Sequence, residues 1–513
     1  MKLLPERRKC LIKNASRVPS ASLLGRADAL LLMLPSGSDG MLAGLPHGAA
    51  LARERARLPR TPGGVWSVAL PTPRGLRAVV GELPPQAEAF QQLTLAAHMV
   101  RELVGLEPRV VACAALEAQH STEGPEAAPV AALLSALLAA TESRPSQKSK
   151  PPRAWHPAKL VLCGSTDAAT VEAVEGGAHL ARWLTALPPN VLYPGSYRRA
   201  LAVLAKRHGW GLRVYNEATL RRLGAGAFLS VARGSRNRDA AIVHLKYRPR
   251  ARSGAAGERP VALVGKGICF DTGGHNIKSA KSMLDMHTDM AGSAVALGAL
   301  EALTNSNYPG PVDAWLALAE NRIGPDAYTQ QDVVTAANGT TIQVQHTDAE
   351  GRMVLADTLA LASRTRPKCI LDYATLTGAC VYALTERMSG VFTNRPALRS
   401  LLETAGERSG ERVWGFPTPA DFDQDLDSPV ADVVQCLLDG KGDHIYAARF
   451  LSRFVGSGIP WAHLDLSSAS RPGGLAHVGS TLTGFGVRFT VALLADPAFH
   501  RALRPPAAGR RRA

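Results

Sequence analysis

The sequence predicts an α/β protein with a smaller N-terminal α/β domain and a larger C-terminal domain, in which helices cover a mostly parallel sheet. The chain has 513 residues, more than a single domain of about 100–200 residues contains. From residue 190 onward, continuous apolar segments alternate with segments of helical periodicity, a pattern typical of a parallel sheet buried on both faces. The predicted strands of this region are Val261–Val264, Val312–Ala319, Cys369–Tyr373 and Trp461–Leu466, and the predicted helices are Ala291–Thr304 and Gly351–Ser363.

The N-terminal domain is predicted over residues 1–165 and the larger domain over residues 166–500. Residues 141–156 are rich in Pro, Ser and Lys, and this composition predicts a solvated loop. The basic residues 501–513 are expected to form a disordered tail. The predicted elements of the N-terminal domain are the strands Val65–Leu70, Arg109–Ala115 and Lys159–Cys163 and the buried helix Pro129–Ala140.

The net charge and the cysteine content bear on the protein's partners and on its cellular compartment. The chain has 59 Lys and Arg against 43 Asp and Glu, for a net charge of +16. Such a surplus of positive charge indicates nucleic-acid binding in some proteins. Here the basic residues are spread along the chain and aromatic residues are only 5%. Nucleic acid is therefore an alternative partner and not the main expectation. The seven cysteines form no CxxC pair, which favours a reducing, cytoplasmic compartment. All apolar runs are far shorter than the ~20 residues of a membrane helix, so we expect no membrane association.

The first segment that carries chemistry follows the predicted strand Val261–Val264. The strand is predicted to end in a glycine-rich loop that holds Lys266 and Asp271 and continues to Lys278. It lacks the spacing of a nucleotide-binding phosphate loop. Taken alone, Lys266 and Asp271 could be catalytic or could form a surface ion pair.

The second segment, Asp285–Asp289, precedes the predicted helix that begins at Ala291. An acidic residue at a helix start is often only a cap, and Asp289 has that simpler interpretation. His287 in the same segment is interpreted as a packing or surface residue.

The third segment places two carboxylates and a cation in one turn before a helix, as Asp348, Glu350 and Arg352. One carboxylate is enough to cap a helix. Carboxylates packed this closely repel each other unless cations bind them, and hard oxygen ligands suit divalent metals.

Together the three segments supply four carboxylates at predicted strand ends of one sheet, where active sites of such sheets lie. The charge of Asp271, Asp289, Asp348 and Glu350 would be matched by two divalent ions. The sequence therefore points to a metal centre with two ions.

These segments resemble the leucyl aminopeptidases, the cytosol aminopeptidase or M17 peptidase family. HTDAEGRMVLAD at 346–357 is similar to the family's NTDAEGRL(I/V)LAD signature, and GKGICFDTGGHNIK at 265–278 is similar to its GKGITFDSGG…IK segment. The similarity continues at Glu320-Asn321, at Ala374–Gly378 and at Trp461–Asp465, and it covers about residues 190 to 490.

The resemblance implies a two-metal centre in which Asp271 and Glu350 bridge the ions. Lys266 and Asp289 would complete the first site, and Asp348 would complete the second. Zn²⁺ and Mn²⁺ are the expected ions, with Mg²⁺ a further candidate at one site. Lys266 would have to bind as a neutral amine, which requires neighbouring cations to depress its pKa.

The resemblance also implies catalytic roles and partners. Lys278 would stabilise the negative oxygen of the tetrahedral intermediate, and Arg352 would hold a bicarbonate that shuttles the proton. Thr375, Leu376 and Met286 would line the substrate pocket. The expected activity is removal of the N-terminal amino acid, with a leucine-like preference, from peptide substrates by a homohexamer whose active sites face an inner cavity.

Several positions depart from the family pattern without removing an implied ligand. His346 replaces the usual Asn, Thr272 the usual Ser, and His275 an apolar residue. We expect His346 and His275 to lie near the site. They could therefore change the enzyme's preference for the substrate side chain, its choice of metal and the pH profile of its activity. His346 could be an extra metal ligand, or it could support the metal ligands from behind or line the pocket without binding a metal itself. Further departures are Gln330-Gln331 for Pro-Gly and Ser467–Ser470 for a small Ala-Gly turn.

Two alternatives to a simple peptidase remain. One is an aminopeptidase fold with an additional DNA-binding or regulatory role, based on the basic excess of residues 1–60 and of the tail. The other is a catalytically silent scaffold.

Overall fold

The computed structural model describes residues 1–6, 10–59, 63–116, 129–150, 155–164, 166–249 and 258–504. The strands are β1 (Leu11–Ala15), β2 (Ala29–Pro35), β3 (Val65–Ala69), β4 (Arg77–Leu83), β5 (Val110–Ala115), β6 (Lys159–Cys163), β7 (Gly211–Asn216), β8 (Ala241–Tyr247), β9 (Val261–Asp271), β10 (Val312–Asn321), β11 (Val333–Thr335), β12 (Thr341–Gln343), β13 (Cys369–Ala374), β14 (Ser389–Thr393), β15 (Val413–Gly415), β16 (Val433–Val434) and β17 (Trp461–Asp465).

The helices follow the same chain order and lie between or after these strands. They are α1 (Ala21–Leu24), α2 (Gly48–Arg57), α3 (Ala89–Val104), α4 (Pro129–Ala140), α5 (Ala168–Thr185), α6 (Pro194–His208), α7 (Glu217–Arg222), α8 (Gly226–Ala232), α9 (Ala280–Met283), α10 (Ala291–Asn305), α11 (Glu350–Ser363), α12 (Gly378–Leu384), α13 (Arg399–Ser409), α14 (Asp443–Ser452), α15 (Val487–Ala495) and α16 (Pro497–Ala502).

The first six strands form one sheet in the order β1-β6-β5-β2-β4-β3. All neighbours are parallel except β3 and β4. Helices α3 and α4 pack on one face of this sheet, and α1 and α2 pack on the other. The strands predicted for this region and the buried helix α4 are therefore present.

The second sheet has eight strands in the order β15-β14-β17-β13-β9-β10-β8-β7. Its centre, from β17 through β13 and β9 to β10, is parallel, and antiparallel pairs lie toward the edges. Helices α5, α6, α10 and α15 cover one face, and α7, α8, α11 and α14 cover the other. The predicted fold class, mostly parallel and covered by helices, is confirmed.

Strand β9 is longer than the sequence predicts, because it continues through its glycines to Asp271. A Cβ atom on Gly265 would lie 2.5 Å from the Cα of Ser293 on α10, so glycine here permits close packing of strand and helix. Lys266 and Asp271 consequently lie on the central strand and not on a loop. Their side-chain positions are fixed by pairing with β10 and by the packing of α10 and α11 around them.

The two sheets are linked by buried charge. Arg182 on α5 pairs with Glu142 at the start of the predicted loop 141–156 and donates to the carbonyl of Thr483 at 2.9 Å. Arg488 on α15 donates to Glu175 at 2.8 Å and to Ser135 on α4 at 3.1 Å. Glu142, near the described beginning of this loop, is thus packed against the second part of the chain, while residues 147–150 are exposed.

The ends of the predicted domains can be followed only in part. Helix α16 ends at Ala502, and residues 505–513 of the predicted tail lie outside the described residues. Residues 151–154 of the predicted loop also lie outside them. Within the described residues, we find no helix with the length and apolar character needed to cross a bilayer.

Candidate metal centre and active site

Three chain segments meet at the carboxyl ends of the central parallel strands. Asp271 is the last residue of β9, and Asp289 lies in the turn just before α10. Asp348 lies in the loop before α11, and Glu350 is the first residue of that helix. The N-terminus of α11 favours a negative charge at this position. All four carboxylates that the sequence singled out are therefore brought to one edge of the sheet.

The carboxylates and two lysines form one tight cluster. Oxygen atoms of Asp271, Asp348 and Glu350 lie within 4.8 Å of one another. The ammonium of Lys266 lies 2.8 Å from Asp289 and 2.9 Å from Glu350. Lys278 lies 2.9 Å from Asp271 and 2.5 Å from Asp348.

Burial and mutual repulsion of the carboxylates shift their protonation. Burial, together with the charges of Glu350 and Asp271, raises the pKa of Asp289 to about 8. Burial and the same two charges raise the pKa of Asp348 to about 7. Burial and the charge of Asp271 also raise the pKa of Glu350. Without further cations, Asp289 and Asp348 therefore retain protons at a pH where ordinary carboxylates are fully ionised.

The two lysines differ in their access to solvent. Burial alone would lower the pKa of Lys266, but the carboxylates of Asp289, Glu350 and Asp271 together raise it. Its side chain is only 4% exposed, whereas that of Lys278 is 15% exposed. Lys266 is therefore enclosed by the carboxylates, and Lys278 is the lysine that a substrate could reach.

Asp271 is oriented by backbone and amide donors. Its Oδ1 accepts hydrogen bonds from the Gly273 amide and from Nδ2 of Asn321, both at 2.8 Å. Asn321 also donates to the carbonyl of Thr347 at 3.0 Å, next to Asp348. One amide side chain from β10 thereby holds both the strand end and the loop.

The opposite side of the cluster is fixed by the segment after β13. Thr375 accepts a hydrogen bond from Lys266 at 3.0 Å through its carbonyl and donates to Asp289 at 2.7 Å through its hydroxyl. Buried Asp465 on β17 accepts from the amide of Leu376 at 3.1 Å and from the hydroxyl of Thr377 at 2.6 Å. The wall formed by residues 375–377 is thus anchored to the sheet.

A cavity of about 430 Å³ opens on the cluster. The three pocket residues expected from the sequence, Thr375, Leu376 and Met286, all line it. Residues that the sequence did not assign to the pocket also line it, among them Val381, Glu386, Asp465, Leu466, Ala469, Pro472 and Leu482. They come from distant segments without a common motif, so no local pattern announces them.

Arg352 also lines the cavity, but its guanidinium already has an anionic partner. Nη2 donates to both oxygens of Asp443 at 2.7 and 2.9 Å, and Nη1 donates to the carbonyl of Gln435 at 3.2 Å. The sequence did not identify Asp443, because an acidic residue at a helix start looks like an ordinary helix terminus.

The positions that depart from the family pattern have defined local roles. Nδ1 of His346 accepts a hydrogen bond from the Asp348 amide at 3.3 Å, and His275 donates to the carbonyl of Tyr328 at 2.8 Å. The hydroxyl of Thr272 donates to the carbonyl of Asn321 at 2.9 Å. Among the described residues, neither histidine is part of the cavity lining.

The donor set fits divalent cations. Among the described residues, Oδ2 of Asp289 and Oε2 of Glu350 are buried without a hydrogen-bond partner. Unpaired buried carboxylate oxygens are costly unless a cation compensates them. Clustered carboxylates are ligands that Zn²⁺, Mn²⁺ and Mg²⁺ accept. This part of the chain could therefore hold metal ions.

Two proteins with related sequences are both described as probable cytosol aminopeptidases. A probable cytosol aminopeptidase of Parasynechococcus marenigrum is 41% identical over 383 residues, which cover 73% of this chain and 77% of that protein. A probable cytosol aminopeptidase of Synechococcus sp. strain CC9311 is 41% identical over 356 residues, covering 67% of this chain and 70% of that protein.

Solved structures show the same fold. The bottromycin maturation enzyme BotP in complex with Mn is 32% identical, with a TM-score of 0.79, and the match covers 91% of this chain and 99% of BotP. A tomato leucine aminopeptidase mutant is 26% identical, with a TM-score of 0.81, and covers 96% of this chain and 98% of its own.

Residues 179–491 match the catalytic domain of the cytosol aminopeptidase family. The match spans more than half of the chain and contains all the clustered carboxylates and both lysines. The chain therefore belongs to the cytosol aminopeptidase family, peptidase family M17, and is a hydrolase of the metalloaminopeptidase class.

Proposed function

We propose that the chain removes N-terminal amino acids, with a preference for leucine-like residues, by means of two divalent ions. Lys266, Asp271, Asp289 and Glu350 would hold one ion, and Asp271, Asp348 and Glu350 would hold the other. The observation that supports this most directly is the buried cluster of four carboxylates. Oxygen atoms of Asp271, Asp348 and Glu350 lie within 4.8 Å of one another, and Asp289 and Glu350 each have a buried oxygen without a hydrogen-bond partner.

When bound, a pair of divalent ions polarises the scissile carbonyl and lowers the pKa of a water molecule. The chain's own residues position the substrate. Lys278 reaches the cavity and can donate a hydrogen bond to the carbonyl oxygen, where negative charge develops. Asp289 offers its unpaired Oδ2 to the free α-amine of the substrate, which would restrict cleavage to the N-terminus.

The cavity lining supports the proposed side-chain preference. Its apolar members come from several segments of the chain, namely Met286, Leu376, Val381, Leu466, Ala469 and Leu482. A space of about 430 Å³ lies within the range of about 300–1,000 Å³ typical of small-molecule sites. A leucine-like side chain could bury its apolar surface here.

The nature of the ions follows from the ligands. Carboxylates suit Mn²⁺ and Mg²⁺, and a lysine amine adds a nitrogen ligand that suits Zn²⁺ or Mn²⁺. We propose Zn²⁺ or Mn²⁺ at the site that includes Lys266, with Mg²⁺ also suited to the other site.

We also propose a cytoplasmic homohexamer. All seven cysteines are free thiols, and six of them are buried, in agreement with a reducing compartment. Large apolar side chains such as Leu284, 75% exposed, and Tyr382, 92% exposed, offer surface that association between subunits could bury. Sedimentation velocity should give the mass of six subunits, and a monomer would contradict this part of the proposal.

Replacing Asp348 tests the proposed function. Asp348→Asn should lower kcat/KM on a fluorogenic leucyl amide by about a thousandfold, because metal stabilisation of the transition state supplies several kcal/mol and each ~1.4 kcal/mol is tenfold. Circular dichroism should remain that of the wild type, since the substitution relieves repulsion in the cluster.

The surface variant Asp326→Asn is the control, because this aspartate is exposed and lies outside the cavity lining. It should retain wild-type turnover and metal content. A folded Asp348→Asn enzyme with wild-type turnover and two bound ions would overturn the assignment.

A further inference from the structure

Arg352 is a buried cation whose charge is met by a carboxylate from a distant part of the chain. Its side chain is 2% exposed, and a buried charge is stable only when paired. Both oxygens of Asp443 accept from Nη2, at 2.7 and 2.9 Å. Nε of Arg352 has no hydrogen-bond partner among the described residues. Asp443 thus matches the charge of the guanidinium, although one N–H donor of the guanidinium stays unused.

The position of the Asp443 carboxylate beside Arg352 is stabilised by its place at the start of a helix. It is the first residue of α14, where the helix dipole stabilises a carboxylate. Its side chain is 23% exposed, so the pair lies between the buried cluster and solvent. The carbonyl of Gln435 accepts from the other terminal nitrogen, Nη1, at 3.2 Å and fixes the plane of the guanidinium.

This arrangement does not fit the bicarbonate that the resemblance led us to expect on Arg352. Two divalent ions would match the four clustered carboxylates, so the charge of Arg352 needs another anion. A free anion at Nη2 would have to displace Asp443, which is covalently part of the chain and already paired through charge-assisted hydrogen bonds.

We propose that Asp443 is the built-in counter-anion of Arg352 and a positioning residue for it, so that the enzyme needs no bicarbonate or other small anion at this guanidinium. The inference rests on the proposed peptidase function of the same site. It assigns to the chain itself a role that the resemblance gave to a dissolved ion.

Removing the carboxylate while leaving room for an anion tests the inference. In buffer free of carbon dioxide, Asp443→Ala should lower kcat/KM on a leucyl amide by about ten- to a hundredfold, the value of a charge-assisted hydrogen bond. Added bicarbonate or formate should restore activity to this variant, while sodium chloride at the same ionic strength should not. Wild-type activity should be the same with and without bicarbonate.

Two further variants complete the experiment. Asp443→Ser keeps a small polar side chain and also leaves space for an anion, so it serves if Asp443→Ala does not fold. Asp439→Ala removes the same charge four residues earlier, from an exposed aspartate whose ion-pair partner is Lys441. It should behave as the wild type with and without bicarbonate.

A binding readout separates this inference from the proposed function. Because a ligand that binds only the folded state raises the melting temperature, bicarbonate should raise the Tm of Asp443→Ala and leave that of the wild type unchanged. The Tm measurement does not require peptidase activity. If the protein showed no peptidase activity, the proposed function would be overturned, but the shift in Tm would still test the inference.

Three results would overturn the inference. They are stimulation of the wild type by bicarbonate, full activity of Asp443→Ala without any added anion, and loss of activity in Asp443→Ala that no small anion restores. The last result would mean that Asp443 does more than balance the charge of Arg352.

Discussion

Gly351 determines where Lys266 can sit. A Cβ atom at this position would lie 2.7 Å from both Cε and Nζ of Lys266 and 2.9 Å from Leu376. The atoms that block the added methyl group are the ends of two flexible side chains, those of Lys266 and Leu376. The fold can therefore accept it, but the amine must move. The glycine of the signature segment is therefore required by the chemistry of its neighbour and not by the conformation of α11.

Gly351→Ala should separate stability from activity. We expect an unchanged or higher Tm, because alanine favours a helix over glycine by up to about 1 kcal/mol. The kcat/KM on a leucyl amide should fall by about a hundredfold, the usual cost of a 1 Å misplacement in an active site. Gly105→Ala, where a Cβ atom meets nothing within 4 Å, should leave activity unchanged. A fully active Gly351→Ala would mean that the amine position is unimportant.

Metal affinity should depend on pH through the raised pKa values of the cluster. Asp289, with its pKa raised to about 8, and Asp348, with its pKa raised to about 7, bind protons that a metal must displace. Apparent affinity should therefore rise as the pH rises from about 6 to about 8, and binding should release protons.

Calorimetric titration of the metal-free enzyme with Mn²⁺ measures this release, when it is repeated in buffers of different ionisation enthalpy. Asp348→Asn should release fewer protons than the wild type. Binding without any proton release at pH 7 would show that the carboxylates are already ionised in the metal-free cluster.

The sequence predicts the clustered residues much better than it predicts their surroundings. Acidic residues crowded into one turn, such as Asp348 and Glu350, are visible locally because repulsion makes them unusual. The pairing of Arg352 with Asp443 is not visible, since the two residues are 91 positions apart and meet only when α11 and α14 pack on the same face of the sheet. The same holds for the cavity residue Glu386.

At the scale of elements, hydrophobic patterning predicts the central strands and helices to within a few residues, with strand β9 as the exception. Helix α10 is buried along nearly its whole length, including the polar residues Ser293 and Glu301. Strand β9 was predicted too short, because Gly265 and Gly267 look like a loop in the sequence. In the structure they are positions where α10 and β10 approach closely, and only tertiary packing decides between the two interpretations.

The contact between α5 and α10 depends on two facing glycines. A Cβ atom on Gly298 would lie 2.4 Å from the carbonyl oxygen of Gly177, and one on Gly177 would lie 2.2 Å from that of Gly298. Backbone atoms block both positions, in contrast to the movable side chains that face Gly351.

Gly298→Ala should therefore destabilise the protein by about 1–3 kcal/mol, the cost of overpacking a core. Urea unfolding measures this difference, and Gly105→Ala is again the matched substitution in open space. The folded fraction should keep wild-type metal affinity, because the crossing lies on α10 well after Asp289. A stability equal to that of the wild type would show that the two helices can separate at no cost.

At the scale of the whole molecule, buried charges join the two sheets. Glu175 accepts from His477 at 2.9 Å and from Arg488 at 2.8 Å. Burial alone would raise the pKa of Glu175, but the hydrogen bond from His477 and the charges of Arg488 and Arg182 lower it. The α/β class and its mostly parallel sheet follow from the sequence, whereas this junction does not, because its members come from α4, α5 and the segments around α15. The predicted boundary near residue 165 stays a prediction.

The central claim is that activity requires two divalent ions held by the acidic cluster. Titration of Mn²⁺ or Zn²⁺ into chelator-treated enzyme, with bound metal and leucyl amide hydrolysis measured on the same samples, tests it most directly. We predict no hydrolysis before metal is added. In the wild type, the rate of hydrolysis should rise with added metal and level off at two ions per chain. In Asp348→Asn this rise in rate should not occur. Hydrolysis by the metal-free enzyme, or full hydrolysis in Asp348→Asn at the same metal concentration, would contradict the account.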